Sequence, residues 1–210
     1  VVAGGAESMS RAPYLLAKAR QGYRMGHAEL IDAMIHDGLW DIYGNQHMGV
    51  YGDRCAERYG FTRENQDDFA VRSYTRAQAA AAGGIFDNEI VPIQTGRKGR
   101  SVLVEQDQEP GKFDEEKLRG LRPAFDAAGT VTAGNASGIG DGAAALLLAS
   151  DSQCRTLSLQ PIARVVGMAT FSREPEWFTL APIGAIQTLM EKLDWSVETT
   201  DLFEINEAFS

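Results

Sequence analysis

The run Gly142-Ala143-Ala144-Ala145-Leu146-Leu147-Leu148-Ala149 is continuously apolar, and what surrounds it decides the fold. A stretch without polar alternation is the pattern of a strand buried on both faces. After it, Asp151 is placed to cap a helix through 157, and 161–171 reads as another strand. Residues 183–193 then repeat as an amphipathic helix, and 202–205 as a last strand. Strand, helix and strand at this spacing predict a right-handed crossover unit, hence a layered α/β fold. The closing stretch, Leu202-Phe203-Glu204-Ile205-Asn206-Glu207, delivers Asn and Glu at the end of that strand, where open α/β sheets present chemistry to a crevice. At the other end, Val1-Val2-Ala3-Gly4-Gly5 has the character of a core strand, not of an initiator region. Both ends are therefore expected to be cut from a longer protein.

The 210 residues suffice for one domain or two small ones, and 44% hydrophobic with 23% charged residues is ordinary for a globular protein. No apolar run approaches the roughly 20 residues that cross a bilayer, so no membrane association is expected. Two cysteines, Cys55 and Cys154, lie far apart without metal-ligand spacing, so no metal site is expected. They suit a reducing compartment, and a cytoplasmic location is expected. A net charge of -9 argues against a nucleic-acid partner.

After Glu7–Tyr14 leaves the core, and as far as about residue 133, the character changes to recurrent glycine, short apolar runs and long polar segments. Gly49-Val50-Tyr51-Gly52 reads as irregular, and 53–59 as a helix ended by Gly60. Thr62 is an N-cap for a long helix, with Glu64, Asp67 and Asp68 in its first turns, a small apolar face of Phe69, Ala70, Ala77, Ala80 and Ala81, and Gly83-Gly84 at its end. Residues 89–93 read as an edge strand because of Pro92. A basic turn at 97–100 leads to a hairpin partner at 101–105, then a polar loop at 106–112 and a short helix at 114–119.

Four groups of residues could carry chemistry. Thr130 to Gly142 is rich in glycine and hydroxyls, which permits close approach of a ligand; a plain tight turn is the other reading. His47, in Asn45-Gln46-His47-Met48-Gly49, is either a ligand contact or a hydrogen-bonded loop histidine, whereas His27 and His36 are expected to face solvent. Asn206 is a neutral donor able to hold a water or an oxyanion, or simply a strand-end cap. The cysteines lie within predicted helices and not at a strand-to-helix turn, so neither reads as a nucleophile. Arg97, Lys98 and Arg100, with Lys117, Arg119 and Arg122, are solvated charges or phosphate contacts.

In order along the chain, several stretches together resemble the thiolase family, within it the acetyl-CoA acetyltransferase branch. They are Ala3-Gly4-Gly5-Ala6-Glu7-Ser8-Met9-Ser10, Gln46-His47-Met48-Gly49 and Glu64-Asn65-Gln66-Asp67, then Leu121-Arg122-Pro123-Ala124-Phe125. Downstream come Thr132-Ala133-Gly134-Asn135-Ala136-Ser137-Gly138, Asp141-Gly142-Ala143-Ala144-Ala145 and Asn206-Glu207-Ala208-Phe209. The resemblance implies a layered α-β-α core, present in part, with a long inserted loop domain. Residues 1–8 would end the N-terminal core, and 9–138 would be the insert that covers coenzyme A and helps form tetramers. Residues 139–158 would complete that core, and 159–210 would begin the C-terminal one.

It also implies that Leu39, His47, Met48, Phe125, Ala133, Ser137, Ala208 and Phe209 line the pocket for the pantetheine and acyl group, and that Asn206 holds an oxyanion-hole water. The expected chemistry is reversible Claisen condensation through an acyl-cysteine, with acyl-CoA and CoA as partners and substrates and no cofactor. The family's nucleophilic cysteine, its Gly-His-Pro histidine and its Cys-x-Gly cysteine have no counterpart in this chain. The resemblance therefore implies a homotetrameric enzyme as the full-length protein and an inactive chain on its own. A non-catalytic acyl-CoA-binding module is the alternative.

Overall fold

The computed structural model describes residues 1–97 and 100–210. Its strands and helices run in the order β1 (Val2–Ser8), β2 (Tyr14–Leu15), β3 (Ile31–Asp32), α1 (Ala33–Gly38), β4 (Trp40–Asp41), β5 (Gln46–His47), α2 (Met48–Tyr59), α3 (Arg63–Ala82), β6 (Ile93–Arg97), β7 (Arg100–Val104), α4 (Glu115–Gly120), β8 (Asp141–Leu147), α5 (Asp151–Thr156) and α6 (Ala181–Leu193). They fall into two compact units, Val1–Cys55 with Ile139–Asn206, and Ala56–Gly138 with Glu207–Ser210. Among the described residues no helix is long and apolar enough to cross a membrane.

In the first unit β1 and β8 pair antiparallel from Val2 opposite Leu147 to Ser8 opposite Asp141. Gly4 permits the approach, because a Cβ there would strike the Ala144 carbonyl oxygen and lie 2.9 Å from the Cα of Ala145. At the end of the ladder the Ser10 hydroxyl and amide donate to the Asp141 carboxylate at 2.5 and 3.0 Å. The expectation that β8 is buried on both faces is not met: all seven of its residues are exposed. The pair is a two-stranded ribbon, and its Ala and Leu side chains read as interior whether or not another layer covers them.

The strands expected at 161–171 and 202–205 also do not form, since no ladder pairs either segment among the described residues. Extended backbone becomes a strand only when a neighbour takes its N–H and C=O groups. Residues 167–171 instead pack against α6. A Cβ on Gly167 would lie 3.0 Å from Leu193, and one on Gly184 would meet the Phe171 ring at 2.5 Å. The helix expected at 183–193 begins at Ala181 and ends at Leu193, followed by Asp194 as a cap with a left-handed φ of 54°. The short helix α5 is capped by Ser150 and not by Asp151; the Ser150 hydroxyl accepts from the Gln153 amide at 3.2 Å.

The connection from β4 to β5 is held by one side chain. Asp41 accepts from the amides of Tyr43 and Gly44 at 3.1 and 2.8 Å, and from the hydroxyl of Tyr51, only 2% exposed, at 2.5 Å. These bonds, the Tyr51 hydroxyl foremost, hold the Asp41 carboxyl below the ordinary carboxylate range. Asn45 then turns the chain at a left-handed φ of 51°. Gly44 has no room for a side chain: a Cβ would collide with the Tyr51 hydroxyl and come within 2.8 Å of the Asp41 carboxylate. The hairpin feeds straight into α2, which therefore begins at Met48, well before 53. Gly49 and Gly52 lie inside this helix, where they are buried. Glycine costs a helix about 1 kcal/mol against alanine, and burial overrides that preference here.

In the second unit α3 starts as expected at Thr62. Its hydroxyl accepts from the Asn65 amide at 3.1 Å, and the Asn65 side chain accepts from the Thr62 amide at 3.2 Å, a reciprocal capping box. Gly83 caps the other end and Gly84 follows at φ 68°. The buried side of α3 is not chiefly its alanine row, however, but Gln66, Asp67 and Ala70. The unit's core is accordingly part polar, with Val131, Thr132, Asn135 and Leu118 buried beside them. Gly134 sits hard against that core, where a Cβ would come within 2.8 Å of both Leu118 and Leu121.

The β6–β7 hairpin pairs Ile93 with Val104 through Arg97 with Arg100, so the strand begins after Pro92 instead of spanning it. Of the basic turn expected there, Lys98 and Gly99, and the side chains of Arg97 and Arg100, lie outside the described residues. A 3-10 turn at Pro110–Lys112 interrupts the polar loop, and Asp114 caps α4 by accepting from the Lys117 amide at 3.1 Å.

Two substitutions test these local constraints. Thr62→Ala removes the α3 cap and should lower unfolding stability by about 1 kcal/mol in urea titrations. Gly44→Ala should cost more, about 2 kcal/mol, because the Asp41–Tyr51 bond must break or the hairpin must shift. If Gly44→Ala unfolds at the wild-type denaturant midpoint, the hairpin is not fixed in the way described.

Candidate functional site

The residues singled out from the sequence gather into two groups. The first is built by the β4–β5 hairpin. Trp40 pairs with His47, and the Met48 amide donates to the Leu39 carbonyl at 2.8 Å, so Leu39, His47 and Met48 stand together at the start of α2. All three are half-buried. His47 accepts from the Gly49 amide at Nδ1, 3.0 Å away. That bond needs an unprotonated Nδ1, so the neutral ring carries its hydrogen on Nε2. Burial pushes the imidazole below its ordinary value of 6.5, which favours this neutral form. His27 and His36 are exposed, as expected.

The second group is built by the glycine-rich loop around Thr132 to Gly138. Thr132 and Asn135 fold it back on itself: the Thr132 amide donates to the Asn135 side chain at 2.8 Å, and the Gly134 amide to the Thr132 hydroxyl at 3.2 Å. This leaves Ala133 and Ser137 exposed. The segment 207–210 then lies along the loop. Ser137 donates its amide to the Ala208 carbonyl at 2.9 Å and its hydroxyl to the Glu207 carbonyl at 2.8 Å, while Ala136 bridges to Phe209. Ser137, Ala208 and Phe209 are thus brought together, with Ala133 on the same loop. Phe125 is half-buried, and its neighbour Ala124 donates to the Val131 carbonyl at 2.9 Å, which ties that segment to the base of the loop. Asn206 is exposed, and no hydrogen bond ties its amide into either group among the described residues.

One residue escaped the sequence reading. Ser73, on α3, donates its hydroxyl to the Glu207 carboxylate at 2.6 Å. A serine in the middle of a helix carries no local signal of such a contact. The second group by itself offers small side chains, hydroxyls and neutral amides, suited to an uncharged chain bearing carbonyl groups. Cys55 and Cys154 are free and half-buried, within α2 and α5. Among the described residues no cluster of His, Cys, Asp or Glu is placed to hold a metal ion.

Residues 1–152 match the thiolase N-terminal domain and residues 159–210 the thiolase C-terminal domain. Acetyl-CoA acetyltransferase 2 of Arabidopsis thaliana is 49% identical over 213 residues, covering 100% of this chain and 53% of that protein. An acetyl-CoA acetyltransferase of Pseudomonas aeruginosa is 47% identical over 100% of this chain and 54% of its own length. Among solved structures, the acetyl-CoA acetyltransferase of Bacillus anthracis superposes with a TM-score of 0.94 at 43% identity, over 100% of this chain and 53% of that one. That of Syntrophomonas wolfei does so at 0.92 and 40%, over 99% of this chain and 52% of that one. The chain spans about half the length of these relatives. Two thiolase domains matched one after the other, with the same mixed α/β fold in solved relatives, show that this chain belongs to the thiolase family.

Proposed function

We propose that this chain supplies acyl-CoA-binding residues of an acetyl-CoA C-acetyltransferase. The enzyme would join two molecules of acetyl-CoA into acetoacetyl-CoA with release of CoA, and run the reverse thiolysis. The observation that carries this reading is the 49% and 47% identity, across the whole chain, to proteins named acetyl-CoA acetyltransferase. In the reaction a cysteine thiolate takes the acetyl group from one thioester and expels CoA. A base removes the α-proton of a second acetyl-CoA, and the resulting enolate attacks the acyl-cysteine and frees the thiolate. Coenzyme A thioesters are the substrates and no cofactor is required.

In this reading Leu39, His47, Met48, Phe125, Ala133, Ser137, Ala208 and Phe209 contact the pantetheine and acyl group. His47 meets it as a neutral imidazole whose Nε2 carries the hydrogen and can donate to a carbonyl oxygen. Asn206 holds the water that stabilises an oxyanion. Neither Cys55 nor Cys154 acts as nucleophile, so that group and its histidine come from elsewhere in the full-length protein, and the isolated chain turns nothing over. We assign 1–8 and 139–158 to the N-terminal core, 9–138 to the inserted CoA-covering domain and 159–210 to the C-terminal core. The full-length enzyme would work as a cytoplasmic homotetramer.

Two measurements test the reading. The full-length protein should cleave acetoacetyl-CoA with CoA, and Asn206→Ala should lower its kcat by about 100-fold, the usual cost of an oxyanion-hole donor. A folded full-length protein that binds CoA without turnover would support the binding module instead. His47 gives an independent check through stability. Its folded-state imidazole is lowered, so the unfolded chain takes the proton first. The stability it contributes is complete above about pH 6.5 and is lost as pH falls through that value towards the lower folded one. Urea midpoints measured at about pH 8 and about pH 5.5 should therefore fall further for the wild type than for His47→Gln. Equal falls would show that the ring is not held neutral by its surroundings.

A further inference from the structure

Resting on that reading of function, we infer that Asp67 is a positioning residue: by orienting Asn135 it sets the loop that carries Ser137 and the segment that carries Ala208 and Phe209. Asp67 and Asn135 are each only 3% exposed. The Asn135 amide nitrogen donates to Asp67 Oδ1 at 2.9 Å and to the Thr130 carbonyl at 3.1 Å, while its oxygen accepts from the Thr132 amide at 2.8 Å. A carboxylate only accepts, so it can face the NH2 side of the Asn135 amide but not the oxygen. Asp67 therefore selects one of the two amide orientations, and only that one closes the loop on Thr132. The other Asp67 oxygen is taken by Arg63 Nε at 2.7 Å, and Arg63 in turn donates to the carbonyls of Leu118 and Arg119 at 3.3 and 3.2 Å. The carboxylate is thereby locked in place.

The consequence passes down the backbone. The Asn135 carbonyl accepts from the Ser210 amide at 2.9 Å, the next residue bridges to Phe209, and Ser137 holds Glu207 and Ala208 by its hydroxyl and amide. The same helix that bears Asp67 adds two further ties: the Gln66 carbonyl accepts from the Ser210 hydroxyl at 2.8 Å, and Ser73 holds the Glu207 carboxylate. An uncharged pair packed at this place would stabilise the unit as well, since buried ions are costly to desolvate. What the carboxylate adds is a unique geometry for residues 132–137 and 207–210, the latter following directly on Asn206.

The test compares the full-length wild type with Asp67→Asn, and with Ser210→Ala as a milder variant that severs only the Gln66 tie. Amide hydrogen exchange and thiolysis kinetics are measured on samples with native far-UV circular dichroism. In Asp67→Asn the amides of Thr132, Ser137 and Ser210 should exchange about tenfold faster while those in the middle of α3 do not change. KM for acetoacetyl-CoA should rise about tenfold, on the scale that small misplacements cost. Ser210→Ala should show the same pattern confined to 207–210, with a smaller rise in KM. Unchanged exchange in these segments overturns the inference, and so does faster exchange with KM at the wild-type value. A uniform rise in exchange across α3 also overturns it, because that marks general loosening. A wild type without thiolysis overturns the proposed function instead, and the catalytic half of this inference with it.

Discussion

The hydrogen bond from Asn135 to the Asp67 carboxylate is the constraint on which the second unit depends. A hydrogen bond to a charged group contributes about 1.5–3 kcal/mol, and stranding either partner in a buried place costs as much again. Here the bond does not close a helix or a ladder. It fastens an irregular loop to the first turns of α3, at the point where the helix also buries Gln66 and Ala70. The glycine at 134, pressed against Leu118 and Leu121, lets the loop come close enough for that bond to form.

The first unit solves a similar problem with Asp41. Its carboxylate accepts two amides and a buried phenol, and so holds a turn that no regular ladder would hold. In both units an aspartate fixes the turn or loop beside the candidate residues: Asp41 by accepting backbone amides between β4 and β5, Asp67 by holding the Asn135 side chain that closes the loop on Thr132. Loops bearing functional residues must be as well defined as helices while escaping their geometry. Carboxylates suit this task because a single side chain can serve several donors.

These devices were unequally legible in the sequence. The start of α3 could be read because a cap is local: Thr62 and Asn65 are three residues apart, and the bonds between them follow from that spacing. The hairpin and its passage into α2 could not be read, because Gly49 and Gly52 signal irregularity to any local rule and their burial depends on distant packing. The polar side of α3 was missed for the same reason: Gln66 and Asp67 find their partners in Thr130 and Asn135, more than sixty residues away. The strands expected at 161–171 and 202–205 rested on apolar composition alone, which records a tendency to be covered but not which neighbour does the covering. His47, the glycine-rich loop that bears Ser137, and Asn206 are singled out by residue type and by family resemblance, whereas the contact of Ser73 with Glu207 leaves no trace in spacing or composition.

The β1–β8 ribbon joins the two ends of a very long excursion, since the Leu148 amide donates to the Val1 carbonyl at 2.8 Å. The entropy lost in closing such a loop grows only with the logarithm of its length, about 0.6 kcal/mol for each doubling. Thermodynamically, then, lengthening or shortening the excursion carries little penalty so long as Gly4 still meets Ala145. Kinetically the position is reversed. Contacts so remote in sequence slow folding, because the loop must close before they return anything, whereas caps and short hairpins are local and carry no such delay.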